Sequence, residues 1–153
     1  MKSLLIVFSY HHNNTQKIAE VIAKILHAKI KTPEKVEPEV VQEYTLIGFG
    51  SGIYSAKHHK SLIDLADKLP TVHNKKAFIF STSGITGKDK VIKDHLTLKE
   101  KLQSKGFVIL DDFQCKGYNT NSFLRFFGGM NKGRPNDKDL ENAKNFAKNL
   151  KQN

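Results

Sequence analysis

The sequence predicts an α/β fold, a parallel sheet covered by helices on both faces. Three observations carry this. Short apolar runs with no polar alternation read as strands buried on both sides. Between them lie stretches whose apolar residues recur every three or four positions, the pattern of amphipathic helices. Strand-like and helix-like segments alternate along the chain, which is the order of a sheet built from crossover connections.

Ser3–Phe8 is the first such strand. Ile18, Ile22 and Ile25, widened by Val21 and Leu26, mark a helix from about Asn14 to His27. Residues 30–43 are polar and carry Pro33 and Pro38, leaving room for at most a short edge strand. Thr45–Gly50 is a second buried strand. Leu62, Leu65, Ala66 and Leu69 form a helical stripe stopped by Pro70. Lys76–Ser81 is a third central strand, and a helix is expected from about Ile92 to Lys105, with a possible capping box at residues 97–100. Gly106 suits a left-handed helix end. Phe107–Leu110 opens the last strand, which can continue to Cys115. Leu140, Ala143, Ala147 and Leu150 give a final helix with Asn136 as its cap. Tyr118–Pro135 is long, rich in Gly and Asn, and carries Phe123, Phe126 and Phe127, as functional connections often do.

Length and composition bound the function. A chain of 153 residues suits one α/β domain with one core. No early apolar run is long enough for a signal peptide or a membrane span, so no membrane insertion is expected. One cysteine excludes an internal disulfide and any Cys-based zinc site. Together these point to the cytoplasm. A formal net charge of +10 favours anionic partners. The basic residues are scattered over outward helix positions and are not interleaved with stacking aromatics, so nucleic acid is not expected among them.

Ligands of open α/β sheets bind beyond the carboxyl ends of the strands. The three central loops read SYHHNNT (9–15), SGIYSAKHH (51–59) and STSGITG (81–87). All are rich in hydroxyls, amides and small residues, and none is acidic. The first runs into a helix N-terminus, where free N–H groups and the helix dipole favour an anion. Ser9 and Thr15 hydroxyls, Asn13 and Asn14 amides and the His11 ring can donate to phosphate oxygens. The lack of carboxylates argues against a Mg²⁺-bound triphosphate and for a phosphate monoester. Gly50, Gly52 and Gly84 allow close approach of a flat ligand, Ile53 and Tyr54 offer faces for stacking, and the hydroxyls of Ser81, Thr82 and Ser83 can meet polar ring edges.

On these loops the chain resembles the short-chain flavodoxin-like proteins, which bind flavin mononucleotide (FMN). Ser9 and Asn14-Thr15 match the start and end of the family's phosphate loop. SGIY (51–54) stands where its second loop stacks on the flavin, and STSG (81–84) where its third loop contacts the ring. Residues 133–150 are similar to the closing segment of a flavodoxin-like subgroup. The resemblance implies a doubly wound five-stranded parallel sheet of order 2-1-3-4-5. It implies cofactor contacts from Ser9, His11, Asn13, Asn14, Thr15, Ser51, Gly52, Ile53, Tyr54, Thr82, Ser83 and Gly84. It implies an electron carrier that meets an acidic redox partner, with an FMN-dependent NAD(P)H oxidoreductase of quinone-reductase type as the alternative. A third class, an anion-binding module without flavin, is the alternative outside redox chemistry. Three features depart from the family pattern: Asn13 replaces a glycine and His11-His12 add a residue, the chain is basic, and Tyr118–Pro135 is long.

Other patterns carry less. In GFGSG (48–52) the third glycine comes one residue too early for a dinucleotide fingerprint. His11-His12 and His58-His59 are adjacent pairs whose rings point apart, so no metal site is expected. His95 falls on the stripe of Val91, Leu98 and Leu102 and reads as a packed histidine. Cys115 lacks the downstream arginine of a Cys-dependent phosphatase. A phosphoacceptor receiver would need acidic residues after the first strand, where SYHHNN has none. No catalytic residue is assigned, although Tyr54, His58 and His59 are acid candidates under the oxidoreductase alternative.

Overall fold

The structure is a computed structural model and describes residues 1–118 and 129–153. Phe123, Phe126 and Phe127 lie outside the described residues. The strands are β1 (Ser3–Phe8), β2 (Lys29–Lys31), β3 (Leu46–Tyr54), β4 (Lys57–His58), β5 (Lys75–Ser83) and β6 (Phe107–Lys116). The helices are α1 (Asn14–Leu26), α2 (Lys60–Lys68), α3 (Lys88–Ser104) and α4 (Asp137–Leu150). The sheet order is β2-β1-β3-β5-β6, and every neighbouring pair along it is parallel. This is the expected order 2-1-3-4-5 with one addition. The two-residue β4 folds back antiparallel on the end of β3, pairing Ile53 with His58 and Tyr54 with Lys57.

The unbroken apolar runs are explained by two separate cores, one on each side of the sheet. Leu4, Ile6, Ile47, Phe49, Ala77 and Ile79 face α2 and α3, meeting Leu62, Leu65, Leu98 and Leu102. Leu5, Val7, Leu46, Phe78 and Phe80 face α1 and α4, meeting Ile18, Ile22, Ala143 and Phe146. Successive residues of one strand thus enter different cores, which makes the middle of the strand an unbroken apolar run. Space for the two large rings of β5 comes from glycines on β3. A Cβ on Gly48 would lie 2.3 Å from the Phe78 ring, and one on Gly50 2.3 Å from Phe80. Gly50 therefore accommodates a core side chain rather than the close ligand approach its loop position suggested.

Three boundaries differ from the sequence reading. α3 begins at Lys88, one turn before the expected Ile92. Its first turn faces solvent and so carries no apolar stripe, while Lys90 pairs with the fully buried Asp94 at 2.6 Å one turn on. Residues 33–43 form two short 3₁₀ turns that drop Val36 and Val41 into the α2-side core. Loop 51–59 is a tight hairpin, because Ser55 and Ala56 both take left-handed backbone (φ 52° and 59°), as a two-residue β-turn requires. Asn136 caps α4 as expected, in a reciprocal capping box with Asp139.

Candidate functional site at the carboxyl end of the sheet

The first loop turns sharply before α1. His11–Asn13 form one 3₁₀ turn, and His12 and Asn13 both have positive φ, 51° and 53°. Ser9 Oγ accepts the backbone N–H of Gln16 at 3.1 Å, closing the turn over the start of the helix. Asn13 stands at the N-cap position, but its side chain makes no capping bond. Asn14 points back across the sheet end, and its Nδ2 donates to the Tyr118 carbonyl at 2.8 Å. This is possible because residue 117 is glycine: a Cβ there would lie 2.6 Å from Asn14 Nδ2. Asn14 Oδ1 is buried and has no hydrogen-bond partner among the described residues. Thr15 shares a buried 2.8 Å hydrogen bond with Thr82, hydroxyl to hydroxyl.

These contacts draw the three loops around one open cleft. Ser9, Asn14, Thr15, Gly52, Ile53, Tyr54, Thr82, Ser83 and Gly84 line it, joined by Tyr10, Gly117 and Tyr118. Asn13, which is exposed, and Ser51, which is fully buried, are not among the described lining residues. Ser51 Oγ instead donates to the Gly52 carbonyl at 2.6 Å and accepts the His59 N–H at 2.9 Å, holding the hairpin to α2. His11 lies in the turn ahead of α1. Sequence reasoning missed Tyr10, Gly117 and Tyr118. Tyr10 was an aromatic inside a loop already singled out, and Tyr118 opened the unusually long connection.

Electrostatically the cleft is neutral, since no described lining residue is charged. Its donors are hydroxyls and amides at the positive end of α1. Burial, and then the neighbouring Tyr10, push the Tyr54 phenol above its ordinary value of 10.0, so it remains a proton donor at neutral pH. Behind Tyr54, the His59 ring stacks on Phe8 at 3.6 Å with an 8° interplanar angle. His59 Nδ1 accepts the Ser61 N–H at 3.1 Å, capping α2, and burial lowers its pKa. His59 thus joins Phe8 to the start of α2. His58 is buried too, its Nε2 meeting the Phe80 carbonyl at 3.1 Å.

Ser81 turns away from the cleft, because adjacent strand residues face opposite sides of the sheet. Its Oγ lies 2.7 Å from His95 Nε2 and accepts from Gln114 Nε2 at 3.1 Å, while His95 Nδ1 meets Asp112 at 3.1 Å. The connectivity is that of a Ser-His-Asp triad, but Ser81 and His95 are both fully buried. No substrate can reach that hydroxyl. The trio fastens α3 to β5 and β6.

With this geometry in hand, comparison with known proteins decides the family. The sequence profile of the Flavodoxin domain matches residues 5–151. The chain belongs to the flavodoxin family. Within it, an uncharacterised protein of Methanocaldococcus jannaschii is 50% identical over 153 residues, 100% of each chain. Oxidised flavodoxin 2 of Bacillus cereus superposes with a TM-score of 0.72 at 17% identity, over 99% of this flavodoxin-family chain and 99% of its own. The apo form of an NADH:FMN oxidoreductase (EMOB) superposes with a TM-score of 0.62 at 17% identity, over 99% of this chain and 89% of the other. Among the described residues of this family member, no helix is long and apolar enough to cross a membrane.

Proposed function

We propose that this chain binds FMN in the cleft and works as an electron carrier. The observation that carries this reading is the convergence of the three loops on a neutral, donor-rich cleft at the N-terminus of α1. The donor set suits FMN in three parts. The first turn of α1, with Thr15 in it and Ser9 just before it, offers donors and a positive dipole end to the phosphate. Asn14 Oδ1, buried and unpartnered among the described residues, suits a hydroxyl donor of the ribityl chain. Gly52, Ile53 and Tyr54 on one side, and Thr82, Ser83 and Gly84 on the other, offer an aromatic face and backbone groups to the ring, with Ser51 holding the second loop in place.

Bound FMN supplies the electron-transfer chemistry; the protein binds it, orients it and sets the surrounding charge. With a net charge of +10, the partner we propose is an acidic protein. The deciding experiment is a visible spectrum of the protein incubated with FMN and then desalted. Retained flavin absorbance supports the reading. A protein that keeps no flavin leaves the fold intact and overturns it.

A second reading, an FMN-dependent NAD(P)H oxidoreductase, is favoured by one observation. The Tyr54 phenol lines the cleft and stays protonated, as a proton donor to a bound acceptor must. Rapid bleaching of bound flavin by NADH or NADPH alone supports that reading; the carrier reading predicts negligible bleaching.

A further inference from the structure

Residues 129–136 reach the cleft without lining it. Arg134 forms a two-pronged salt bridge to the buried Asp139, through Nε to Oδ2 and through Nη2 to Oδ1. Asp139 belongs to the capping box of α4, so the segment is tied to a rigid helix end. From that anchor two bonds run toward the site. The Arg134 carbonyl accepts the Tyr118 N–H at 3.0 Å, and Tyr118 lines the cleft. Asn131 Nδ2 donates to the carbonyl of Gly84, in the third loop, at 2.6 Å and lies 3.5 Å from the Gly117 carbonyl. Asn131 itself takes left-handed backbone (φ 59°) and opens a turn closed by the Arg134 N–H to its carbonyl at 3.0 Å.

Gly84 sits in a segment, Gly84–Gly87, with a glycine at each end and the strongly exposed Ile85 between them. Such a stretch has little intrinsic preference for one backbone path. A hydrogen bond from outside the loop therefore selects its shape. We infer that Asn131 is a positioning residue of the cleft: its amide holds the Gly84 carbonyl, and so fixes the backbone that the third loop presents to the ligand. The naming of that ligand as FMN rests on the reading proposed above. The motif loops do not contain this residue, and its partner lies 47 positions away in the chain.

The test is Asn131→Gly. Glycine keeps the left-handed turn and removes only the amide. Hydrogen exchange of the amides in residues 83–87 and FMN affinity by fluorescence quenching are measured beside the wild type, with urea unfolding of the apoprotein as a control. The expected result is faster exchange in residues 83–87 and FMN binding weakened roughly two- to tenfold, the range of one lost hydrogen bond. The unfolding midpoint should barely move. Unchanged exchange overturns the inference whatever the flavin does. Faster exchange with unchanged affinity overturns the part that concerns the ligand. A wild type that takes up no FMN removes the flavin reading, and the exchange comparison then still decides whether Asn131 holds Gly84.

Discussion

Thr15 and Thr82 meet hydroxyl to hydroxyl at 2.8 Å in the floor of the cleft, one from the first turn of α1 and the other from the end of β5. The bond joins the two loops best suited to hold opposite ends of a long ligand. It is largely buried, with Thr15 at 2% exposure and Thr82 at 4%, so a hydroxyl that loses its partner finds little solvent to replace it. Thr15→Val should therefore cost about 1–3 kcal/mol of stability, the penalty of one stranded buried polar group. The double variant Thr15→Val/Thr82→Val should cost less than the sum of the two singles. Urea denaturation through the full double-mutant cycle measures this. Strict additivity would show that the hydroxyls do not interact.

The glycines of β3 offer a packing prediction. A Cβ on Gly50 would overlap the Phe80 ring, whose nearest atoms lie 2.3 Å away. Gly50→Ala should destabilise by about 1–3 kcal/mol, as overpacked cores do. Phe80→Leu introduced into that variant should recover part of the loss, although alone it removes core volume. Denaturation midpoints of the three proteins give the answer. Absence of any rescue would place the strain elsewhere.

The buried His58 makes stability pH-dependent. Burial, and then the neighbouring His95, lower its pKa from the ordinary 6.5 to about 3, so it is neutral in the folded protein at neutral pH. The hydrogen bond to Phe80 and the charges of Asp94 and Asp112 oppose the shift without cancelling it. Below pH 6.5 the unfolded chain takes up a proton that the folded chain refuses until about pH 3. Stability is thus fully present above the unfolded value and falls as the pH drops through this window. The slope approaches about 1.4 kcal/mol per pH unit for one proton. His58→Gln retains a donor for the Phe80 carbonyl and does not titrate. Its stability should fall less steeply from pH 6.5 to 4 than that of the wild type, by thermal unfolding across the range. Parallel profiles would exclude His58 as the cause.

Net positive charge should tune a bound flavin. Reduction adds negative charge to the cofactor, and a protein of +10 stabilises it through its long-range field. Salt screens that field, with a Debye length near 10 Å at about 0.1 M. The midpoint potential should therefore fall as ionic strength rises, in a spectroelectrochemical titration at low and high salt. A potential that rises with salt would mean that local negative groups dominate.

Strands β1, β3, β5 and β6, their order of occurrence and the amphipathic helices were legible in the sequence, because burial on both faces leaves the middle of a central strand apolar; the two-residue β4 carries no apolar run and was not. Ile18, Ile22, Leu62 and Leu65 betray their helices for the matching reason, since one stripe of each is dry. The place of the cleft was legible too, because the apolar run of each central strand gives way to small and polar residues at its carboxyl end. What the sequence alone did not determine is which atoms of those loops remain available. Ser51 and Ser81 sit in motif positions, yet both hydroxyls are bonded inward. Asn14 looked like a phosphate donor, yet its amide reaches Tyr118, 104 residues away. Tyr10, Gly117 and Asn131 complete the site by contacts that close only when distant segments pack. Periodicity is a local consequence of burial and can be read along the chain. A hydrogen bond across the sheet end depends on where two remote backbones come to rest, and only the tertiary structure decides that.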